Sequence, residues 1–305
     1  MLSTLLRRTA SHGTIRAVAK DTLRIDRVCS WFEDNARPLP WRSTSPWGVL
    51  VSEFMLQQTP VNRVEPVWRA WMDRWPEPGD LAAVPSGEAV RAWGRLGYPR
   101  RALRLHATAV AITHEHGGQV PRDESELRAL PGVGEYTAAA IRAFAFGEKA
   151  VVLDVNVRRV ISRAWTGIDE PPAHMTATER ALAAGLANAA SNGAAWAAAS
   201  MELGAVVCTK KAPDCPTCPL VRTCAWRKAG SPRLEVTPRR QPRFEGSDRQ
   251  ARGTVMRALR EARGPLPKSA LLEGLVDHDQ GERALKSLLD DGLIVRAGSR
   301  YSLPG

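Results

Sequence analysis

Residues 121–147, PRDESELRALPGVGEYTAAAIRAFAFG, are the segment that most limits what this chain can fold into. Asp123 is placed to cap a helix, with Glu126 three residues on at the spacing of a capping box. Pro131 ends that helix, because proline has no N–H with which to continue it. Gly132 and Gly134 then permit backbone angles and a closeness of approach that other residues resist. A second helix starts near Glu135. Its free N–H groups and dipole make an anion site, for which a phosphate is the natural occupant. Two glycines alone also fit an ordinary connection between helices. The complete unit of capped helix, Leu-Pro-Gly-Val-Gly and helix is the more specific signal.

Helical periodicity runs through most of the remaining chain. Leu23, Ile25, Val28, Trp31 and Phe32 recur close to helical spacing. Residues 47–59 are apolar nearly all round, which marks a buried helix. Further helices are predicted over 66–75, 86–96, 101–114, 124–130, 136–146, 156–165, 178–192 and 194–208. Alternating stretches are short and alanine is abundant, so the expected fold class is all-α. The Pro- and Arg-rich run GSPRLEVTPRRQPRF, 230–244, reads as a linker, extending to 247. Beyond it, 248–305 holds three short helical patterns and an alternating run around a Gly-Ser turn, which predicts a small winged-helix-like module.

The 305 residues carry a formal net charge of +11, with 44% hydrophobic residues. A basic surplus of this size in a globular chain points to a polyanionic partner, nucleic acid ahead of an anionic membrane. No apolar run reaches the ~18 residues of a membrane span. Residues 1–20 contain Arg7, Arg8 and Arg16 and no continuous apolar core, a poor secretory signal. They are expected to form a disordered extension, and the chain is expected to be a cytoplasmic monomer. Cys208, Cys215, Cys218 and Cys224 are spaced C-x6-C-x2-C-x5-C in an otherwise cysteine-poor chain. That spacing points to a metal site rather than a disulfide framework, and four thiolates can hold either a structural zinc or a [4Fe–4S] cluster. Cys29 lies on an apolar helical face and reads as a core residue. Lys210, Lys211, Arg222, Arg227 and Lys228 crowd the loop and could reach phosphates.

At these residues the chain resembles the helix-hairpin-helix DNA glycosylases, in which such a hairpin is followed by an aspartate, here Asp154 in AVVLDVNVRRV. SEFMLQQT, 52–59, and LPWR, 39–42, resemble the adenine glycosylase branch, which removes adenine mispaired with 8-oxoguanine or guanine. The resemblance covers roughly 21–228. It implies one [4Fe–4S] cluster on the four cysteines and a substrate of double-stranded DNA carrying a mismatch or an oxidised base. It also implies two helical lobes. One holds the cysteines, at 21–42 and 151–229, and the other, at 43–150, carries the hairpin. Members commonly have a C-terminal domain that reads 8-oxoguanine on the opposite strand, and the module at 248–305 departs from that pattern.

Breaking an N-glycosidic bond asks for a proton on the leaving base and support for a sugar of oxocarbenium character, work that suits two carboxylates of opposite tuning. Glu53 sits among Val49, Leu50, Val51, Phe54, Met55 and Leu56, surroundings that penalise its charged form and suit a proton donor. Asp154 precedes a helix whose N-terminus would stabilise its anion. A buried glutamate can instead pair with an arginine, and an aspartate before a helix is often only its cap, with Asn156 equally placed to cap. The resemblance makes Glu53 and Asp154 the catalytic pair, with Tyr136 and Asn156 assisting. It places Gln58 in the opened duplex, and Trp41 and Arg42 are candidates for the base pocket. Many members have two tyrosines where this chain has Tyr98 and Pro99, although proline also wedges base steps. Tyr136 stands where the strand-cleaving relatives carry a lysine, so base removal without strand cleavage is expected. A thymine or other mismatch glycosylase and a non-enzymatic iron–sulfur regulator are the alternatives.

Overall fold

The computed structural model describes residues 2–233, 243–275 and 277–305. These residues form two compact units, Met1–Arg42 with Glu135–Val236 and Ser43–Gly134 with Thr237–Gly305. The linker expected at 230–247 falls largely on 234–242, outside the described residues.

The first unit is helical throughout. It contains α1 (Leu2–Asn35), a 3-10 turn at Pro40–Arg42, α8 (Glu135–Phe146), α9 (Val155–Ile161), a π-helical turn at Ser162–Thr166, α10 (Ala177–Ala189), α11 (Gly193–Val206) and α12 (Ala225–Lys228). Its core joins Ile25 and Val28 of α1 to Val157, Val160 and Ile161 of α9 and to Trp196, Ala199 and Leu203 of α11. α1 begins at Leu2, where the sequence suggested a disordered extension. No proline interrupts residues 2–35, so the backbone continues the helix from either side of Asp21. α8 belongs to this unit rather than to the lobe expected over 43–150. Ala140 and Ala143 of α8 pack with Ala150, Val152 and Ala197, and side chains this small let helices approach closely.

The second unit contains α2 (Pro46–Leu56), α3 (Val61–Arg74), α4 (Pro78–Ala82), α5 (Ser86–Trp93), α6 (Arg100–Glu115) and α7 (Glu124–Ala129). α2 starts with Pro46 inside a cap made by Ser45, whose hydroxyl accepts from the Gly48 N–H at 3.2 Å. Every residue from Trp47 to Met55 is buried, as its all-round apolar pattern requires. Trp71 packs edge-on against Trp75 and Trp93, with centroids 4.9 and 5.7 Å away. α3 begins five residues before Pro66, which sits within the helix, and α4 is a short helix that the sequence pattern did not announce.

The C-terminal part of this unit runs α13 (Asp248–Glu261), β1 (Leu266–Pro267), α14 (Lys268–Leu272), α15 (His278–Asp290), β2 (Val295–Ala297) and β3 (Arg300–Ser302). The sheet order β1-β3-β2, with antiparallel pairs, is that of a winged helix, and the β2–β3 turn falls at Gly298 and Ser299 as expected. The module is docked rather than tethered. Arg91 of α5 donates to the carbonyls of Arg260 and Ala262 and so caps α13, and the Gly87 N–H donates to Pro304 O at 2.8 Å. A Cβ on Gly87 would lie 2.3 Å from that oxygen.

Candidate active site

The hairpin has the anatomy that its sequence dictates. Asp123 caps α7 by accepting from the N–H groups of Ser125 and Glu126, at 2.8 and 3.2 Å. Leu130 and Val133 are buried, and the Pro131 carbonyl accepts from Thr108 Oγ1 at 2.6 Å. Gly132 has φ +81°, and a Cβ there would meet Arg104 and Phe54 at 3.0–3.1 Å. A Cβ built on Gly134 would have nothing within 4 Å. The division between the two units falls at Gly134 and Glu135, inside the hairpin.

The second unit carries Glu53, Gln58, Tyr98, Pro99, Gly132 and Gly134. Glu53 is 6% exposed on the buried helix α2. Gln58 and Tyr98 are both exposed, and both hold left-handed backbone, φ +55° and +49°. A non-glycine residue pays strain for such a φ unless its surroundings enforce it. One buried side chain enforces both. Arg101 of α6 donates to the carbonyls of Phe54, at 3.0 Å, and Gln57, to Thr59 Oγ1 at 3.0 Å, and to Gly97 O at 3.3 Å. Its guanidinium also lies 5.3 Å from the Tyr98 ring centroid and 5.4 Å from that of Trp93. Sequence reading missed Arg101, because an arginine opening a helix looks like a surface residue. Pro99 sits at the N-cap of α6 with φ −62°.

The first unit carries Trp41, Arg42, Tyr136, Asp154, Asn156 and the cysteines. Asp154 is the cap of α9, accepting from the N–H groups of Asn156 and Val157 at 2.9 and 2.7 Å. Asn156 does not compete for the cap. Its amide Nδ2 donates to Asp154 Oδ2 at 2.7 Å, while its Oδ1 accepts from Arg159 Nη2 at 2.8 Å. Arg159 continues the chain of contacts, donating from Nε to the Cys208 carbonyl at 2.7 Å and from Nη2 to Gly204 O at 2.7 Å. Gly204 is what lets α11 lie this close, since a Cβ would stand 2.6 Å from Asn156 O. One expectation is corrected here. The cap bonds and Arg159 do lower the Asp154 pKa, but burial outweighs them and the net shift is upward. Tyr136 is half-buried against the α8 core. Trp41 is buried, and the Arg42 guanidinium is bound to Glu202 at 2.9 Å and lies over the Phe32 ring. Glu202, 2% exposed, also takes Arg37 at 2.7 Å. This is the packing and ion-pair arrangement for Trp41 and Arg42, and it commits Arg42 within the unit.

Cys208, Cys215, Cys218 and Cys224 line one small cavity, together with Arg163 and Trp226. Among the described residues no set of His, Cys, Asp or Glu side chains is gathered as a single metal ion would gather it. Burial and the neighbouring thiols push Cys218 up to about 12, and Cys208 is also raised. Burial therefore favours the neutral thiol at Cys208 and Cys218, and a cationic centre is what would draw out their thiolate forms. Buried cations already surround the site. Arg163, 1% exposed, donates to Cys208 Sγ at 3.6 Å and Thr209 O at 2.8 Å, and its charge is shared with Asp169 at 2.8 Å. The charges of Arg24 and Arg159 act on Cys224 and Cys208. None of these three arginines was singled out from sequence. Cys29 packs at the core edge, its thiol pushed up to about 11, as expected of a non-ligand. Lys210, Lys211, Arg222, Arg227 and Lys228 are all exposed around the loop.

The profile of the HhH-GPD superfamily base excision DNA repair proteins matches residues 51–184. The adenine DNA glycosylase of Mycolicibacterium smegmatis is 47% identical over 282 residues, 91% of this chain and 95% of that protein. The adenine DNA glycosylase of Mycobacterium tuberculosis is 45% identical over 282 residues, 91% of this chain and 92% of that protein. Matches of this length extend into the C-terminal module. Among solved structures, a thermostable thymine-DNA glycosylase is 26% identical with a TM-score of 0.62, covering 69% of this chain and 98% of that one.

Proposed function

The chain belongs to the HhH-GPD superfamily of base excision DNA repair proteins, and from that membership we propose how it works as an adenine DNA glycosylase. It removes adenine mispaired with 8-oxoguanine or guanine by hydrolysing the N-glycosidic bond of a nucleotide turned out of the duplex. The observation that carries the reading is the pair of differently housed carboxylates. Glu53 is buried in an apolar helix and Asp154 is held by three hydrogen bonds at a helix start. Glu53 supplies the proton that adenine takes at N7, an atom that thymine lacks. Asp154 supports the sugar as positive charge develops, and Asn156 fixes the carboxylate's rotamer. Tyr136 brings no amine to the reacting carbon, so no Schiff base forms and the strand is left intact.

The hairpin holds a phosphate at Gly132 and Gly134, and Gln58 with Tyr98 and Pro99 enters the duplex. Arg101 holds the Gln58 and Tyr98 backbones in their left-handed conformation. The four cysteines hold one [4Fe–4S] cluster per chain. The cavity that the four cysteines share, and the likeness of their C-x6-C-x2-C-x5-C spacing to the family's iron–sulfur loop, support that reading. Arg163, Arg159 and Arg24 balance its thiolate charge. The cluster's chemistry is structural, ordering the 208–224 loop and its exposed lysines and arginines.

Single-turnover base release decides the matter. Duplexes with A opposite 8-oxoguanine and A opposite G should react, and T opposite G should not. Glu53→Gln and Asp154→Asn should each abolish release while duplex binding persists. Reaction of T opposite G alone, or undiminished release by either variant, would sink the proposal.

A further inference from the structure

The second unit contains a cleft of about 1500 Å³ that none of the catalytic residues lines. One wall is α13 of the winged module. The other is formed by the Gln57–Gln58 turn, the Gly94–Pro99 loop and the start of α6. Ten arginines line it against three carboxylates. Several of these arginines are already committed. Arg101 holds the two loops, Arg91 caps α13, and Arg100 and Arg252 share Asp291. Arg95, Arg104 and Arg257 are exposed and make no ion pair among the described residues. Arg260 is half-buried with Arg95 near enough to depress its pKa further. Like charges crowded this way raise the folded protein's energy until an anion enters.

We propose that this cleft grips the sugar–phosphate backbone of a DNA strand, and that the winged module does so with its first helix, α13. The proposal rests on the reading of the chain as a DNA glycosylase. Three observations support it. First, Arg104 packs against Gly132 of the hairpin, so the basic track continues from the hairpin turn into the cleft. Second, the exposed rings of Tyr98 and Phe244 stand among the arginines, a mixture that suits nucleotides better than an acidic protein. Third, α15, the third helix of the module, has its basic face neutralised. Arg283 pairs with Asp248, Lys286 with Asp290, and Lys268 of α14 with Glu282. Charge that is already paired releases few counterions from DNA.

Equilibrium binding of the full-length protein to duplexes, followed by fluorescence anisotropy over a salt series, tests this. Arg95→Gln combined with Arg257→Gln should weaken binding about tenfold and reduce the slope of log K against log salt by about two. The loss should be equal for undamaged and A·8-oxoguanine duplexes. Arg283→Gln combined with Lys286→Gln should leave both affinity and slope unchanged. An unaltered slope in the first pair overturns the proposal, as does a loss confined to the damaged duplex or an equal loss in the second pair. Base release by the unmodified chain is measured alongside. If it occurs while the first pair retains the full slope, only the cleft assignment falls. If no duplex loses adenine, the glycosylase reading itself falls.

Discussion

Two arginines connect parts of this molecule that the sequence presents separately. Arg159 joins Asn156, and through it Asp154, to the Cys208 carbonyl. Its charge lowers the Asp154 pKa against the upward pull of burial. In the proposed reaction Asp154 acts as an anion, so base release grows as pH rises through its pKa. Removing Arg159 takes away a lowering influence, and the pKa moves further up. Arg159→Met should therefore lose base release most at acidic pH and recover part of it as pH increases. The acid limb of the single-turnover pH profile should move to higher pH, and Arg159→Lys should move it less. A uniform loss at every pH would leave only a structural role. Arg101 makes a matching prediction for the strained loops. Arg101→Met leaves loop carbonyls unpaired, at a cost of about 1–3 kcal/mol, and frees Gln58 and Tyr98 from left-handed backbone. Binding to a duplex with an abasic gap, where no base must be displaced, should suffer less than binding to an intact mismatch.

At the scale of elements, α11 and α9 meet through a glycine. A methyl group on Gly204 would stand 2.6–2.8 Å from Asn156 backbone and Cβ atoms. Backbone cannot rotate away as a side-chain tip can, so the first turn of α9 must shift, carrying Asp154 with it. Gly204→Ala should lower single-turnover release by about 10²-fold, the scale of an ångström-sized displacement, and destabilise the fold by about 1–3 kcal/mol. Gly185 of α10 has nothing within 4 Å of its built Cβ. Gly185→Ala should add roughly 0.5–1 kcal/mol of stability with release unchanged, which separates helix propensity from displacement. Most elements were legible in the sequence for local reasons. The Asp123 cap, the Gly132 turn and the all-apolar α2 are each written in a few adjacent residues. Asp154 and the cysteines were legible as motifs. The buried charged residues that organise their surroundings and the loops were not. Arg101, Arg159, Arg163 and Glu202 act through partners up to 165 residues away, and a buried arginine has no local signature. The direction of the Asp154 shift was misjudged for the same reason, since burial is decided by distant chain.

At the scale of the whole molecule, the cysteine site gathers much of the first unit's buried charge. Arg163 lies against Trp226, with its guanidinium 4.8 Å from the ring, and Arg159 reaches from α9 to the Cys208 carbonyl. Both reach Cys208, so loss of the proposed cluster would take away thiolate charge that they face, since burial raises the Cys208 and Cys218 thiols. Arg163 keeps its ion pair with Asp169, so the lost charge bears mainly on Arg159. Loss of the cluster should therefore be felt at Asp154, through Arg159 and Asn156, as well as in the loop. Anaerobically prepared protein should be brown and contain about four irons per chain. Chelation of that iron should lower the melting temperature and release thiols. It should also shift the acid limb of base release in the direction given by Arg159→Met, since a displaced Arg159 no longer lowers the Asp154 pKa. Stoichiometric zinc would overturn the cluster assignment. An acid limb that stays in place after iron loss would separate the cysteine site from Asp154.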